Sequence, residues 1–138
     1  EDGVVRVLPA LVNEAGLLRS GVLDEAIAVL RRGLAIDRES PQINNSLGAA
    51  LSTIGRHNEA IAHHRRYVSL SPNDPNALDS LGLSYQRAGD YGQALAAYDG
   101  ASRIDSEFEV AVVHRANTYW QMGRIREAIR EAVSGLGI

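Results

Sequence analysis

Cysteine and lysine are both missing from this chain of 138 residues. Without cysteine there can be no disulfide, zinc finger or thiol nucleophile, and the redox compartment stays undetermined. All 14 basic residues are arginine. Schiff-base chemistry and the lysine-dependent phosphate loop are therefore excluded, while arginine still fills every surface role of lysine. The simplest reading of the missing lysine is a GC-rich genome. Basic charge is not in excess either: the formal net charge is -3 and the isoelectric point about 5.8. A general nucleic-acid binder needs a basic face to displace counterions, so no nucleic-acid partner is expected. No apolar run approaches the roughly 18 residues of a membrane span, so no membrane insertion is expected. Glu1-Asp2-Gly3-Val4-Val5 has neither an initiating methionine nor the basic start of a signal peptide. It reads as the start of an excised fragment or processed chain.

What the chain does contain is an internal period. Hydrophobic residues make up 45% and charged residues 22% of it, which is the composition of a folding chain. Its length holds four units of 34 residues with two residues over. The run Glu59-Ala60-Ile61-Ala62 recurs as Glu25-Ala26-Ile27-Ala28, as Gln93-Ala94-Leu95-Ala96 and as Glu127-Ala128-Ile129-Arg130. Glycine precedes each leading alanine by five positions, at Gly21, Gly55, Gly89 and Gly123. Such a period marks stacked supersecondary units.

Each unit reads as helix, short turn, helix. Pro41 follows Ser40 and Pro75 follows Asp74. Ser and Asp cap helix N-termini, and proline suits the first helical position, so new helices should begin near 41 and 75. Apolar residues then recur at intervals of three and four, as in Leu47, Leu51 and Ile54, and in Leu78, Leu81 and Tyr85. The glycine between stripes can take the left-handed conformation that ends a helix.

Asn44-x2-Leu47-Gly48-x2-Leu51, followed by Ala60, His64 and Pro72, and Leu78-x2-Leu81-Gly82-x2-Tyr85, followed by Ala94 and Tyr98, carry a family signature. The chain resembles the tetratricopeptide repeat proteins, whose pattern is W-x2-L-G-x2-Y, then alanine, an aromatic and proline. The first unit has Asn13-Glu14, and the fourth Arg115-Ala116, in place of Leu-Gly. Atypical end units are expected to cap a stack. The resemblance implies an all-α, right-handed solenoid of four helix-turn-helix units, about eight antiparallel helices. It implies a single domain over 1–138 with repeats at about 7–40, 41–74, 75–108 and 109–138. Small residues at Gly48, Gly82, Ala60 and Ala94 would let paired helices approach closely, with a core shared between neighbouring units.

In that family the first helices line a concave surface that binds an extended peptide or a helix. Transferred position by position, the groove set expected here is Arg19, Gln42, Asn45, Asn76, Asp79, Arg87, Asn117 and Trp120. Amides can donate to and accept from a peptide backbone, Asp79 and Arg87 would add charged contacts, and the single tryptophan is a hot-spot candidate. A further expectation for Trp120 is packing against the terminal helix. The chaperone-tail carboxylate clamp of some relatives needs basic residues at set positions. In the first register these are Leu11, Ala15, Ser46, Asn76 and Ser80. In the next they are Asn45, Ala49, Ser80, Val110 and His114. Neither set holds an arginine, so that specialised use is not expected.

No enzyme chemistry emerges. His57, His63, His64 and His114 include no i,i+4 pair, and His64 sits at the aromatic position of its unit, where a packed ring is expected. The clusters Arg31-Arg32 and His63-His64-Arg65-Arg66 have acidic neighbours in Glu59, Asp37 and Glu39, and read as solvated faces. No cofactor or metal is expected. The resulting expectation is a non-catalytic scaffold with a protein or peptide partner. The alternatives are a recruiting domain cut from a larger enzyme and, less favoured, an RNA-binding helical repeat. Apolar ends, at Leu8, Leu11, Val12, Leu17 and Leu18 and at Ile129, Val133 and Ile138, suggest self-association or contact with a parent protein.

Overall fold

A computed structural model describes residues 15–137, with side chains from Gly21 onward. The expectations placed on Leu8, Leu11, Val12, Leu17, Leu18, Arg19 and Ile138 lie outside the described side chains. Seven helices and no strand occur among the described residues. They are α1 Ala15–Ile36, α2 Pro41–Thr53, α3 His57–Leu70, α4 Pro75–Arg87, α5 Tyr91–Ile104, α6 Glu109–Gln121 and α7 Ile125–Gly135.

Local chemistry sets most of these boundaries. Ser40 Oγ accepts from the Ile43 amide at 3.2 Å, and Pro41 takes the first turn of α2. Asp74 does the same for α4, accepting from the Asn76 amide at 2.9 Å ahead of Pro75. Each side chain satisfies an amide that the helix itself leaves unbonded. Gly55, Gly89 and Gly123 end α2, α4 and α6 with φ of 85°, 84° and 77°. A side chain is strained in that left-handed region, so glycine is required there. Gly21 departs from the expected pattern. It lies inside the continuous 22-residue α1 and makes no turn.

The helices pack as successive antiparallel pairs, α2 on α3, α4 on α5 and α6 on α7, with α1 against α2. Between pairs, α2 meets α4 and α4 meets α6, whereas the backbones of α1, α3, α5 and α7 keep apart from one another. A stack whose first helices touch and whose second helices splay has its inner, concave side on α2, α4 and α6. Ala60 and Ala94 are fully buried at the pair interfaces. One core cluster joins Leu81, Tyr85, Ala94, Tyr98, Ala101 and Ala111, and another joins Ile27, Leu47, Ala50, Leu51 and Ala60. Both clusters draw on more than one repeat, as expected when no single helix pair can bury its own stripe.

Candidate protein-binding groove

The inner helices bring part of the expected groove set together. Asn45 and Arg87 line one depression of about 120 Å³ between α2 and α4, with Ala49, Ser52 and Leu83. Arg87 is exposed and Asn45 half-buried. His64, from α3, forms the floor of this depression. Its Nε2 lies 3.2 Å from the Asn45 carbonyl, which fixes the proton on Nε2. Nδ1 then accepts from Ser84 Oγ at 2.5 Å. Burial lowers the His64 pKa to about 4, so the ring is neutral at pH 7. The packed ring expected at this position is what the structure contains.

The other expected residues separate into two groups. Gln42, Asn76 and Asn117 are exposed. Asn76 Nδ2 donates to Tyr67 Oη at 3.2 Å, and Tyr67 in turn donates to Asp74 Oδ2 at 2.8 Å, so that amide is partly committed to the chain itself. Asp79 does not belong with the exposed set. It is 3% exposed, and its Oδ1 lies 2.8 Å from His114 Nδ1 across the α4–α6 seam. A buried carboxylate with an internal partner is unavailable to a ligand, which corrects the expectation of an Asp79 groove contact.

One further seam contact, between Gln86 and Gln121, and one contact within a helix pair, between Gln86 and Tyr98, escaped the sequence reading. Gln86 Nε2 donates to Gln121 Oε1 at 2.9 Å, and Gln86 Oε1 accepts from Tyr98 Oη at 2.6 Å. Like Asp79 and His114, Gln86 and Gln121 are 35 residues apart. The seam therefore joins position i to i+35, one beyond the 34-residue repeat.

Trp120 is 61% exposed, so packing against the terminal helix does not account for it. Val110 and Val113 are 47% and 49% exposed on the same helix. With Asn117 they follow a helical spacing of three, four and three, which places all four on one face of α6. The groove thus has a polar section on α2 and α4 and an apolar section on α6. No described helix is long and apolar enough to cross a membrane.

Helix pairs with Gly and Ala at their contacts, stacked on shared cores, define a helical-repeat interaction module. Family models agree along almost all of the described chain. One described as tetratricopeptide repeat matches residues 16–75. Another, described as anaphase-promoting complex, cyclosome, subunit 3, matches residues 53–132. The chain belongs to the tetratricopeptide repeat family. No curated protein matches it significantly. Among solved structures, a crystal structure of MamA is 24% identical with TM-score 0.73, covering 99% of this chain and 82% of that one. MamA from residue 41 to its end, from Desulfovibrio magneticus RS-1, is 20% identical with TM-score 0.75, covering 93% and 69%. MamA from strain MSR-1 is 18% identical with TM-score 0.70, covering 87% and 69%. At these identities the likeness is one of fold.

Proposed function

We propose that this protein is a non-catalytic scaffold that docks a segment of a partner protein in its concave groove. The reading takes residues 1–138 as one module of four repeats. The observation that carries it is the stripe of Val110, Val113 and Trp120, three large apolar side chains left about half exposed on the inner helix α6. A folding chain gains nothing by presenting such a stripe to water, and a partner gains by covering it. An amphipathic helix or extended segment would set its apolar residues here. Asn117, Asn45, Gln42, Asn76 and Arg87 would meet its polar atoms. Tryptophan on such a surface is a frequent anchor of binding energy.

The test places a photo-crosslinking amino acid at position 120 and, as control, at position 96 on the outer helix α5. Both proteins are irradiated in lysate of the source organism. The proposal expects one partner peptide crosslinked through position 120 and absent at 96, with capture lost in Val113→Asp, Asn117→Ala. Equal labelling at both positions, or capture indifferent to the double substitution, would sink the groove assignment.

The outer face of α7 favours a second reading. Ile125, Ile129 and Val133 recur every fourth residue and are exposed. Self-association through this face predicts a sedimentation coefficient that rises with concentration and stops rising in Ile129→Asp.

A further inference from the structure

The outer helices leave gaps between them, and two of these gaps differ in charge at equivalent positions. The gap between α5 and α7, floored by α6, has a volume of about 420 Å³. It is lined by the chain's own ion cluster. Arg115, from α6, reaches Asp99 Oδ1 of α5 at 3.4 Å and also pairs with Glu131 of α7. The gap between α1 and α3, floored by α2, has a similar volume of about 460 Å³. Here the repeat places Arg31 where Asp99 stands and His63 where Glu131 stands, each pair being 68 residues apart, twice the repeat. At the position of Arg115 the repeat places the buried Leu47, and the α2 side chain that lines this gap is Asn44. The charge pattern is inverted: one gap is lined by two carboxylates that pair with a guanidinium of the chain, while the other is lined by cationic side chains and no carboxylate.

Three guanidiniums, Arg31, Arg38 and Arg66, line the α1–α3 gap together with His63, over apolar walls that include Leu34 and Ala62. No carboxylate is among its described lining residues. The nearby acids sit outside it. Glu59 reaches Arg31 at 3.3 Å and Glu39 reaches Arg66 at 3.8 Å, both as solvent-exposed pairs. Such pairs are worth little and exchange partners readily. Sequence alone reads the clusters holding Arg31 and Arg66 as solvated faces, because Asp37, Glu39 and Glu59 lie close by in the chain. The fold instead gathers side chains from 31, 38, 63 and 66 around one cavity, a basic island on a protein of net charge -3.

We propose that the gap between α1 and α3 binds an acidic segment of a partner protein, with a carboxylate held by Arg31, Arg38 and Arg66 and a neighbouring aliphatic side chain on Leu34 and Ala62. Guanidinium groups match carboxylates in a planar, bidentate geometry. In the twin gap a partly buried guanidinium of the chain itself pairs with two carboxylates, which is the mirror arrangement satisfied from within. The apolar walls favour a peptide over a bare anion, because a free phosphate has no side chain to lay on them. This site lies on the outer side of the stack and is independent of the groove reading.

His63 reports occupancy. Its Nδ1 lies 3.1 Å from Asn44 Oδ1, while Asn44 Nδ2 donates to the Ser40 carbonyl at 2.9 Å, so Oδ1 accepts and Nδ1 carries the proton. Nε2 is then the nitrogen that titrates. Burial, and next the charge of Arg31, hold the His63 pKa below its ordinary value, with Glu59 opposing them. An arriving carboxylate cancels the Arg31 effect and moves the midpoint upward.

The experiment follows the His63 ring proton and the Ala62 methyl by NMR while the full chain is titrated with a capped octapeptide of alternating glutamate and leucine. The expected result is saturable shifts at both signals and a raised His63 midpoint. Binding should be at least tenfold weaker for the glutamine-for-glutamate peptide and for Arg38→Gln, Arg66→Gln. Circular dichroism of that variant should match wild type, since both arginines are exposed. Ala62→Glu provides a second check: it should supply its own carboxylate, raise the His63 midpoint without peptide and abolish binding. The proposal is overturned if the glutamine peptide binds equally, if the shifts appear on α6 instead, or if millimolar peptide produces none. Equal effects from inorganic phosphate or from anionic phosphatidylglycerol vesicles would overturn the peptide assignment.

Discussion

Asp79 Oδ1 and His114 Nδ1 face each other at 2.8 Å across the seam between two inner helices, one repeat apart. The carboxylate is buried and the imidazole is its recorded hydrogen-bonding partner. Removing the acceptor leaves a donor at the seam without its partner. Removing the donor leaves a buried charge without one, which is worse. Asp79→Ala should therefore destabilise the fold by about 1.5–3 kcal/mol, the range for hydrogen bonds to charged groups. The double substitution with His114→Ala should destabilise by less than the sum of the singles. Urea denaturation of the four proteins measures that coupling, and simple additivity would show that the pair does not hold the seam.

Close approach of helices makes the second prediction. A β-carbon at Gly48 would sit 2.6 Å from His64 Cδ2, and one at Gly82 would sit 2.4 Å from Tyr98 Cε1. Neither ring can swing aside. His64 is held by Ser84 and the Asn45 carbonyl, and Tyr98 is fully buried with its hydroxyl on Gln86. Gly48→Ala and Gly82→Ala should each cost about 1–3 kcal/mol, as overpacking does. Ala60→Leu and Ala94→Leu, at fully buried positions on the facing helices, should fall in the same range. Thermal unfolding resolves effects of this size, and unchanged melting of all four would refute the packing.

These two results also mark what could be read from the residues alone. Helix starts at Pro41 and Pro75 were legible because capping is local: Ser40 or Asp74 followed by proline specifies its own geometry. The helix-pair repeat, the buried alanines and the packed His64 were legible because the 34-residue period fixes which small residue meets which ring. The groove set was only partly legible. Position counting gives the face of a helix to within about a residue, and Asp79 falls on the wrong side of that margin, in the seam. Its partner was hidden because the seam pairs i with i+35, a register visible only once α4 and α6 are stacked. The basic cavity was obscured for a related reason, since Arg31 and His63 meet across two repeats while their acidic neighbours lie close in sequence.

Gly21 allows a direct contrast with Gly55. Both occupy the same place in the repeat, yet Gly21 continues a helix while Gly55 has φ of 85°. One glycine disfavours a helix by only about 1 kcal/mol, less than the several unbonded backbone groups that a break would leave. Nothing lies within 4 Å of a β-carbon built at either site, so backbone conformation alone decides the outcome. Gly21→Ala should stabilise by about 0.5–1 kcal/mol, the helix-propensity difference. Gly55→Ala should destabilise by about 1–2 kcal/mol, the left-handed penalty. Opposite shifts in melting temperature are the expected result. A Gly21→Ala variant that melts lower would mean that α1 breaks there.

Acid should unfold this protein partly through His64. Burial is the largest cause of its lowered pKa, about 4 against 6.5 for the free ring. Between those values the unfolded chain binds a proton that the folded chain refuses. Stability from this residue is therefore complete above pH 6.5, falls as pH drops through the window, and reaches its full loss near pH 4. A difference of that size corresponds to about 3 kcal/mol at 1.36 kcal/mol per unit. The Asn45 carbonyl opposes the shift and the nearby His63 adds to it, both less than burial. His64→Tyr introduces the residue that Tyr98 supplies one repeat later and has no charge to gain in this range. Urea midpoints measured from pH 7 to pH 4 should decline much less steeply for His64→Tyr than for wild type, whatever their values at pH 7. Parallel slopes would place the acid sensitivity elsewhere and leave His64 as packing alone.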